Sequence, residues 1–157
     1  MNITIEGGYG YPGSIYTNRM EGKDFDTFNT VIYGHNMANG TYFGSLKSYH
    51  DKDFLDAHRE IDVYTLSEKH IYDIFAVVTY DDRYITDMYD DAREADRLAY
   101  LLSLREFGAE LPDDGSIDAQ SHILTLSTCI GGMPYNRLLI VAAEREADIE
   151  LLPSENN

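Results

Sequence analysis

The sequence holds a single cysteine, Cys129, at the end of a strand-like run, Ser121-His-Ile-Leu-Thr-Leu-Ser-Thr-Cys129. An arginine, Arg137, opens the next such run, Arg137-Leu-Leu-Ile-Val-Ala-Ala143. Far upstream, the apolar run Thr30-Val-Ile-Tyr-Gly34 leads into His35 and Asn36. A thiol, an imidazole and a guanidinium, each at the end of a strand, are the parts of a cysteine acyl-transfer site. A free thiol has a pKa of about 8.5 and is mostly protonated at neutral pH; a nearby cation lowers that value, and His35 and Arg137 are both candidates. Attack on a carbonyl carbon builds negative charge on its oxygen, to which Arg137 can donate while also holding a peptide backbone. His35 can protonate the leaving amine and then take a proton from the incoming nucleophile. Each residue also has a bland reading: a small buried hydrophobe, a hydrogen-bonded turn residue, a surface ion-pair partner. The combination favours a catalyst over a binding module.

These groups need strands to hold them. Alternation puts Ile123, Thr125, Ser127 and Cys129 on one face and His122, Leu124, Leu126 and Thr128 on the other. If the 121–129 and 137–144 strands form a hairpin, Cys129 and Arg137 flank its loop, Ile130 to Asn136, with Cβ atoms about 5 Å apart. Further strands are predicted over 14–17, 30–33, 61–66 and 70–79, the last two joined by a turn at Ser67-Glu-Lys69. Residues 18–28 read as a polar loop, and 43–49 and 51–58 have helical spacing. A longer helix is predicted over 92–107, with Asp91 as N-cap, Leu98, Leu101, Leu102 and Leu104 as its apolar face, and Gly108 closing it. Many short strands with two helical insertions indicate a barrel or a strongly curved sheet. No βαβ alternation is visible, so a parallel sheet is not expected.

At 157 residues the chain fits one domain with a proper core. Its formal net charge of −16 argues against nucleic acid or an anionic membrane as partner. It suits a neutral or cationic one, such as a lysine-bearing amine; solubility is the bland reading. A single cysteine forms no internal disulfide. No run approaches the roughly 18 apolar residues that span a bilayer, and no signal peptide precedes Ile3. His122 falls at the far end of the Cys129 strand, which makes it a poor base. No His-x-x-x-His or Cys-x-x-Cys pair exists, and the acidic stretch Asp81 to Asp91 lacks EF-hand spacing, so it reads as a solvated loop.

Thr125-Leu-Ser-Thr-Cys129 resembles the signature around the nucleophile of sortases, the bacterial cysteine transpeptidases that attach surface proteins to the cell wall or polymerise pilins. Its serine variant points to class B. Thr30-Val-Ile-Tyr-Gly-His-Asn-Met37 resembles the segment carrying the sortase histidine, Asn39-Gly-Thr-Tyr-Phe-Gly-Ser-Leu-Lys47 with Tyr49 and Lys52-Asp-Phe54 reads as class B, and Arg137-Leu-Leu-Ile-Val141 matches the arginine strand. The resemblance covers about Gly13 to Glu144. It implies a mainly β fold, a closed or nearly closed antiparallel β-barrel with short helices, one of them before the cysteine strand. The chain is then one catalytic domain, with residues 1–12 atypical and 146–157 a frayed tail.

By that resemblance Cys129 is the nucleophile, His35 the general acid/base and Arg137 the substrate- and oxyanion-stabilising residue. Asn36, Ser127, Thr128 and Ile130 line the sorting-signal groove, and no cofactor or metal is required. The family reaction cleaves a C-terminal sorting signal after its threonine through a Cys thioester, which an amine of peptidoglycan or a pilin lysine resolves. The implied partners are a sorting-signal-bearing surface protein or pilin and that amine acceptor. The implied place is the outer face of a Gram-positive cell membrane, reached through an anchor outside this sequence. Two features depart from the pattern. Only a dozen residues precede Gly13, and they do not resemble the usual first strand, which implies a trimmed domain or an incomplete barrel with an open edge. The loop after Cys129 is short, so substrate preference does not carry over from relatives. The rival readings are a hydrolytic cysteine peptidase and a non-catalytic acidic binding domain that keeps the barrel.

Overall fold

The computed structural model describes residues 3–4, 7–17 and 25–145, together with the backbone of 150–151. Among these residues seven strands form one sheet: β1 (Tyr16–Thr17), β2 (Asn29–Tyr33), β3 (Glu60–Tyr64), β4 (Glu68–Asp81), β5 (Ile123–Ile130), β6 (Met133–Glu144) and β7 (Glu150–Leu151). Their order is β1-β2-β5-β6-β4-β3, with β7 paired to the start of β4. Short helices α1 (Lys52–Ala57) and α2 (Ile85–Met88), a 3-10 turn at Leu46–His50 and the longer α3 (Glu94–Glu106) complete the fold.

The central strands are apolar on both faces, so period-two alternation sorts their side chains into two cores. Ile123, Leu139 and Val141 join Val31, Val78 and Tyr80 on one face, where Tyr100, Leu101 and Leu104 of α3 cover them. Leu124, Leu138, Ile140 and Ala142 join Ile74 and Tyr72 on the other, where Leu46 of the 3-10 turn covers them. Burying each large side chain contributes about 1.5–3 kcal/mol. Ile32 on β2 and Ile61 on the edge strand β3 have three strands between them in the sheet yet both pack into this second core. The sheet is therefore curled around it, an open and nearly closed barrel. A register shift between Ile74 and Ala76 bends β4 to help that curl.

The expected antiparallel order holds at every pair but one: β2 and β5 run parallel, Asn29 against Ile123 through Tyr33 against Ser127. Parallel neighbours need a long crossover, and here it runs through β3, β4 and α3 rather than a single helix. Local periodicity carries no trace of such a connection.

Helix α3 starts at Glu94, with Arg93 rather than Asp91 at its N-cap. The Asp91 carboxylate instead accepts the Asn29 amide, 3.1 Å away. Glu94 and Asp96 in the first turn complement the helix dipole, and Gly108 at φ +93 closes the helix as expected. Its buried face is Tyr100, Leu101 and Leu104, whereas Leu98 and Leu102 are exposed. The Tyr100 hydroxyl donates to Thr125 Oγ1 (2.7 Å), which donates to Asn29 Oδ1 (2.8 Å), tying α3 through β5 to β2. Helix α2 falls within the 81–91 stretch expected to be a solvated loop, with Ile85 buried, and β7 falls within the expected tail. The other elements lie close to expectation, with α1 capped by Asp51, which accepts from the amides of Asp53 and Phe54. Most of the predicted 18–28 loop (18–24) lies outside the described residues, as does the expected fraying of the tail, apart from the β7 backbone.

Candidate active site

Parallel pairing brings the C-terminal ends of two strands to one edge of the sheet, and that is what places His35 near Cys129. The register continues from Tyr33 opposite Ser127 into a set of staples. The Gly34 amide donates to Ser127 O (3.1 Å), Thr128 Oγ1 donates to Gly34 O (2.8 Å), and Asn36 Nδ2 donates to Cys129 O (2.9 Å). The His35 carbonyl accepts the Phe43 amide at 3.0 Å. Histidine is thus flanked on both sides by bonds to the cysteine strand. Gly34 is required because the Phe43 ring lies 2.7 Å from where a Cβ would stand. The Tyr11 ring sits 5.7 Å from that of His35.

On the other side of Cys129, the β5–β6 hairpin puts Arg137 directly opposite it. The expected loop Ile130 to Asn136 resolves into two parts. Gly131-Gly132 makes the turn, with Gly132 at φ +79, and Ile130 pairs with Met133. Residues 134–136 of β6 are then left without a partner on β5 and bulge from that ladder, a place that tolerates Pro134 because it donates no bond there. Arg137 Nη1 donates to Pro134 O (3.1 Å) and Asn136 O (2.8 Å). The bulge supplies the carbonyls that steer the guanidinium, leaving its other N–H groups for a ligand.

Cys129 is exposed. Together with His35 and Arg137 it lines a cleft of about 160 Å³. Ser127 and Thr128 line it too, although both are buried and the Thr128 hydroxyl is engaged with Gly34. Asn36 is not among the lining residues and braces the Cys129 carbonyl instead. Ile130 packs against the second core. The cleft also contains Tyr16, Tyr33, Tyr84 and Asp82, none of which sequence reasoning singled out. Tyr16 pairs with Tyr33 across β1–β2 and stacks on it at 5.3 Å, and Tyr84 lies 5.8 Å from Tyr33. Burial, reinforced by Tyr84 and by a Cys129 thiolate and opposed by Arg137, pushes the Tyr16 hydroxyl up to about 12. It therefore remains an O–H donor at the cleft wall. The one available signal was Tyr33, directly ahead of Gly34-His35; the others reach the cleft only through long-range pairing.

The sortase domain family matches residues 11–146. Sortase B of Listeria monocytogenes is 33% identical over 127 residues, 80% of this chain and 50% of that protein. Among solved structures, sortase B of Clostridium perfringens superposes with a TM-score of 0.76 at 25% identity, covering 91% of this chain and 79% of that one. A Bacillus anthracis protein similar to sortase B gives a TM-score of 0.74 at 30% identity, covering 91% and 64%. The chain spans about half the length of the curated relatives it matches.

Proposed function

This chain belongs to the sortase family, and from that premise we propose that it is a class B cysteine transpeptidase using Cys129, His35 and Arg137. The observation that carries the reading is the shared edge of β2, β5 and β6, where His35 follows one strand, Cys129 ends the next and Arg137 faces it across the third. Cys129 attacks the carbonyl carbon of the threonine in a sorting signal. Charge develops on the carbonyl oxygen, where the free N–H groups of Arg137 donate to it. His35 protonates the departing amine, and a Cys129 thioester remains. An amine from peptidoglycan or a pilin lysine then attacks the thioester, with His35 accepting its proton. Ser127 and the Tyr16, Tyr33 and Tyr84 rings form the wall against which the peptide lies. The place of action is the outer surface of a Gram-positive cell.

Intact-mass measurement after incubation with a panel of threonine-containing sorting-signal peptides tests this. The expected result is an adduct on Cys129 that turns into ligated peptide when an amine is added. An adduct that yields only acid in the presence of amines would assign a hydrolytic peptidase. A folded protein that forms no adduct with any peptide would sink the catalytic reading.

A further inference from the structure

The cleft contains a charge for which the acylation step has no use. Asp82 follows the last residue of β4, where Tyr80 stands opposite Arg137 and Asp81 opposite Asn136. It lies just past the ladder on the Arg137 side and lines the same cleft as Cys129. Its neighbour in sequence, Arg83, is taken: Arg83 Nε donates to both oxygens of Asp81 (2.7 and 2.9 Å), and the guanidinium sits 5.3 Å from the Tyr80 ring. Arg137 is turned toward the carbonyls of Pro134 and Asn136. Among the described residues, Asp82 forms no ion pair with either arginine. Among the described residues lining the cleft, Arg137 and Asp82 carry opposite charges without forming an ion pair with each other.

A carboxylate lining the cleft where the oxyanion develops works against that negative charge and favours a cationic occupant. Building on the acyl-transfer reading, we propose that Asp82 anchors the acceptor and selects a positively charged amine over water. The acceptor arrives as an ammonium held by the Asp82 carboxylate, and the net charge of −16 adds long-range attraction for such a cation. It yields one proton to His35, its nitrogen attacks the thioester carbon, and the C–S bond breaks as the N–C bond forms. The second nitrogen proton ends on the Cys129 thiol, and His35 returns its own to solvent. Arg137 reads the acyl half of the reaction and Asp82 the amine half.

The test is a partition experiment on the peptide that gives the Cys129 adduct. The ratio of ligated to hydrolysed product is compared for a lysine dipeptide and for hydroxylamine, which is uncharged near neutral pH. Because the ratio is set after the adduct has formed, it does not depend on how fast acylation runs. Asp82→Asn is expected to lower ligation to the lysine dipeptide about three- to tenfold, the range for a partly exposed charge pair, with hydroxylamine changed less than about twofold. Asp82→Glu restores most of the difference, and raising the salt concentration mimics Asp82→Asn in the unaltered protein. Equal loss for both nucleophiles, or no change for either, overturns the proposal while leaving the transpeptidase reading intact. Absence of any adduct in the unaltered protein removes that reading and this inference with it.

Discussion

The two ends of the β5–β6 hairpin use the same chemical vocabulary in opposite ways. At the end away from the cleft, Glu144 is nearly inaccessible and accepts from two histidines, His70 Nδ1 at 2.5 Å and His122 Nδ1 at 2.8 Å. His70 Nε2 lies a further 3.4 Å from Glu68. One carboxylate there ties the start of β4, the approach to β5 and the end of β6. At the cleft end, Cys129 is exposed, and Arg137 meets only the carbonyls of its own bulge, with no carboxylate partner among the described residues. Polar groups that satisfy one another stabilise a fold, whereas groups left facing a cleft are available to a substrate. What distinguishes the two ends is the Glu144 carboxylate buried in a shared pairing at one and the Cys129 thiol left exposed at the other.

The sharpest way to break this contrast is at the cleft. Cys129→Ala should abolish the peptide adduct completely, with a melting temperature close to that of the unaltered protein because the side chain is exposed. Arg137→Lys should lower adduct formation by about a hundredfold or more, since an ammonium cannot both hold the bulge carbonyls and present a planar fork. Full activity in either variant would remove the proposed roles. The far end should behave inversely. Glu144→Ala strands two histidines beside a buried space and should cost about 3 kcal/mol, seen as a fall of roughly 10 °C in melting temperature. Adduct formation per folded molecule should hardly change. If Glu144→Ala instead silenced Cys129 in a folded protein, the two ends would be coupled and the comparison would fail.

What the sequence could reveal follows from how local each feature is. Alternation along β5 and β6 fixes which residues share a face, so the Cys129–Arg137 pairing was legible as a hairpin register. The meeting of His35 with Cys129 rests on β2 lying parallel to β5, a contact between distant parts of the sequence that leaves no periodic signature. Only family resemblance suggested it. Asp91 looked like a helix cap because its type and position fit, but the backbone amide it accepts belongs to Asn29 of β2. Tyr100 escaped notice among the leucines because its hydroxyl needed Thr125 and Asn29 to make burial tolerable. Asp82, Tyr16 and Tyr84 belong to the cleft for the same non-local reason.

A smaller effect should separate bracing from chemistry at the cleft. Asn36→Ala removes the bond to the Cys129 carbonyl, worth about 1 kcal/mol of stability. It should lower kcat more than it changes peptide affinity, because it loosens the His35 approach rather than the peptide wall. An unchanged kcat would make Asn36 a structural residue only.

The smallest effect concerns the tyrosine wall. The Tyr16 hydroxyl titrates near 10 when unfolded and about 12 in the fold, with burial the largest cause. A pKa raised by folding means that the native state keeps its proton while the unfolded chain loses it. The stability linked to Tyr16 is thus fully present below pH 10 and is lost as pH rises from 10 toward 12. The side chain is partly solvated, so the contribution is modest. Tyr16→Phe should leave the melting temperature at pH 8 nearly unaltered and make its decline above pH 10 slightly shallower. Tyr72, Tyr80 and Tyr100, also pushed up chiefly by burial, sustain the rest of that decline. A Tyr16→Phe curve parallel to that of the unaltered protein throughout this range would mean that the hydroxyl is as well hydrated in the cleft as in water. It would then be open to an incoming peptide rather than sealed in the wall.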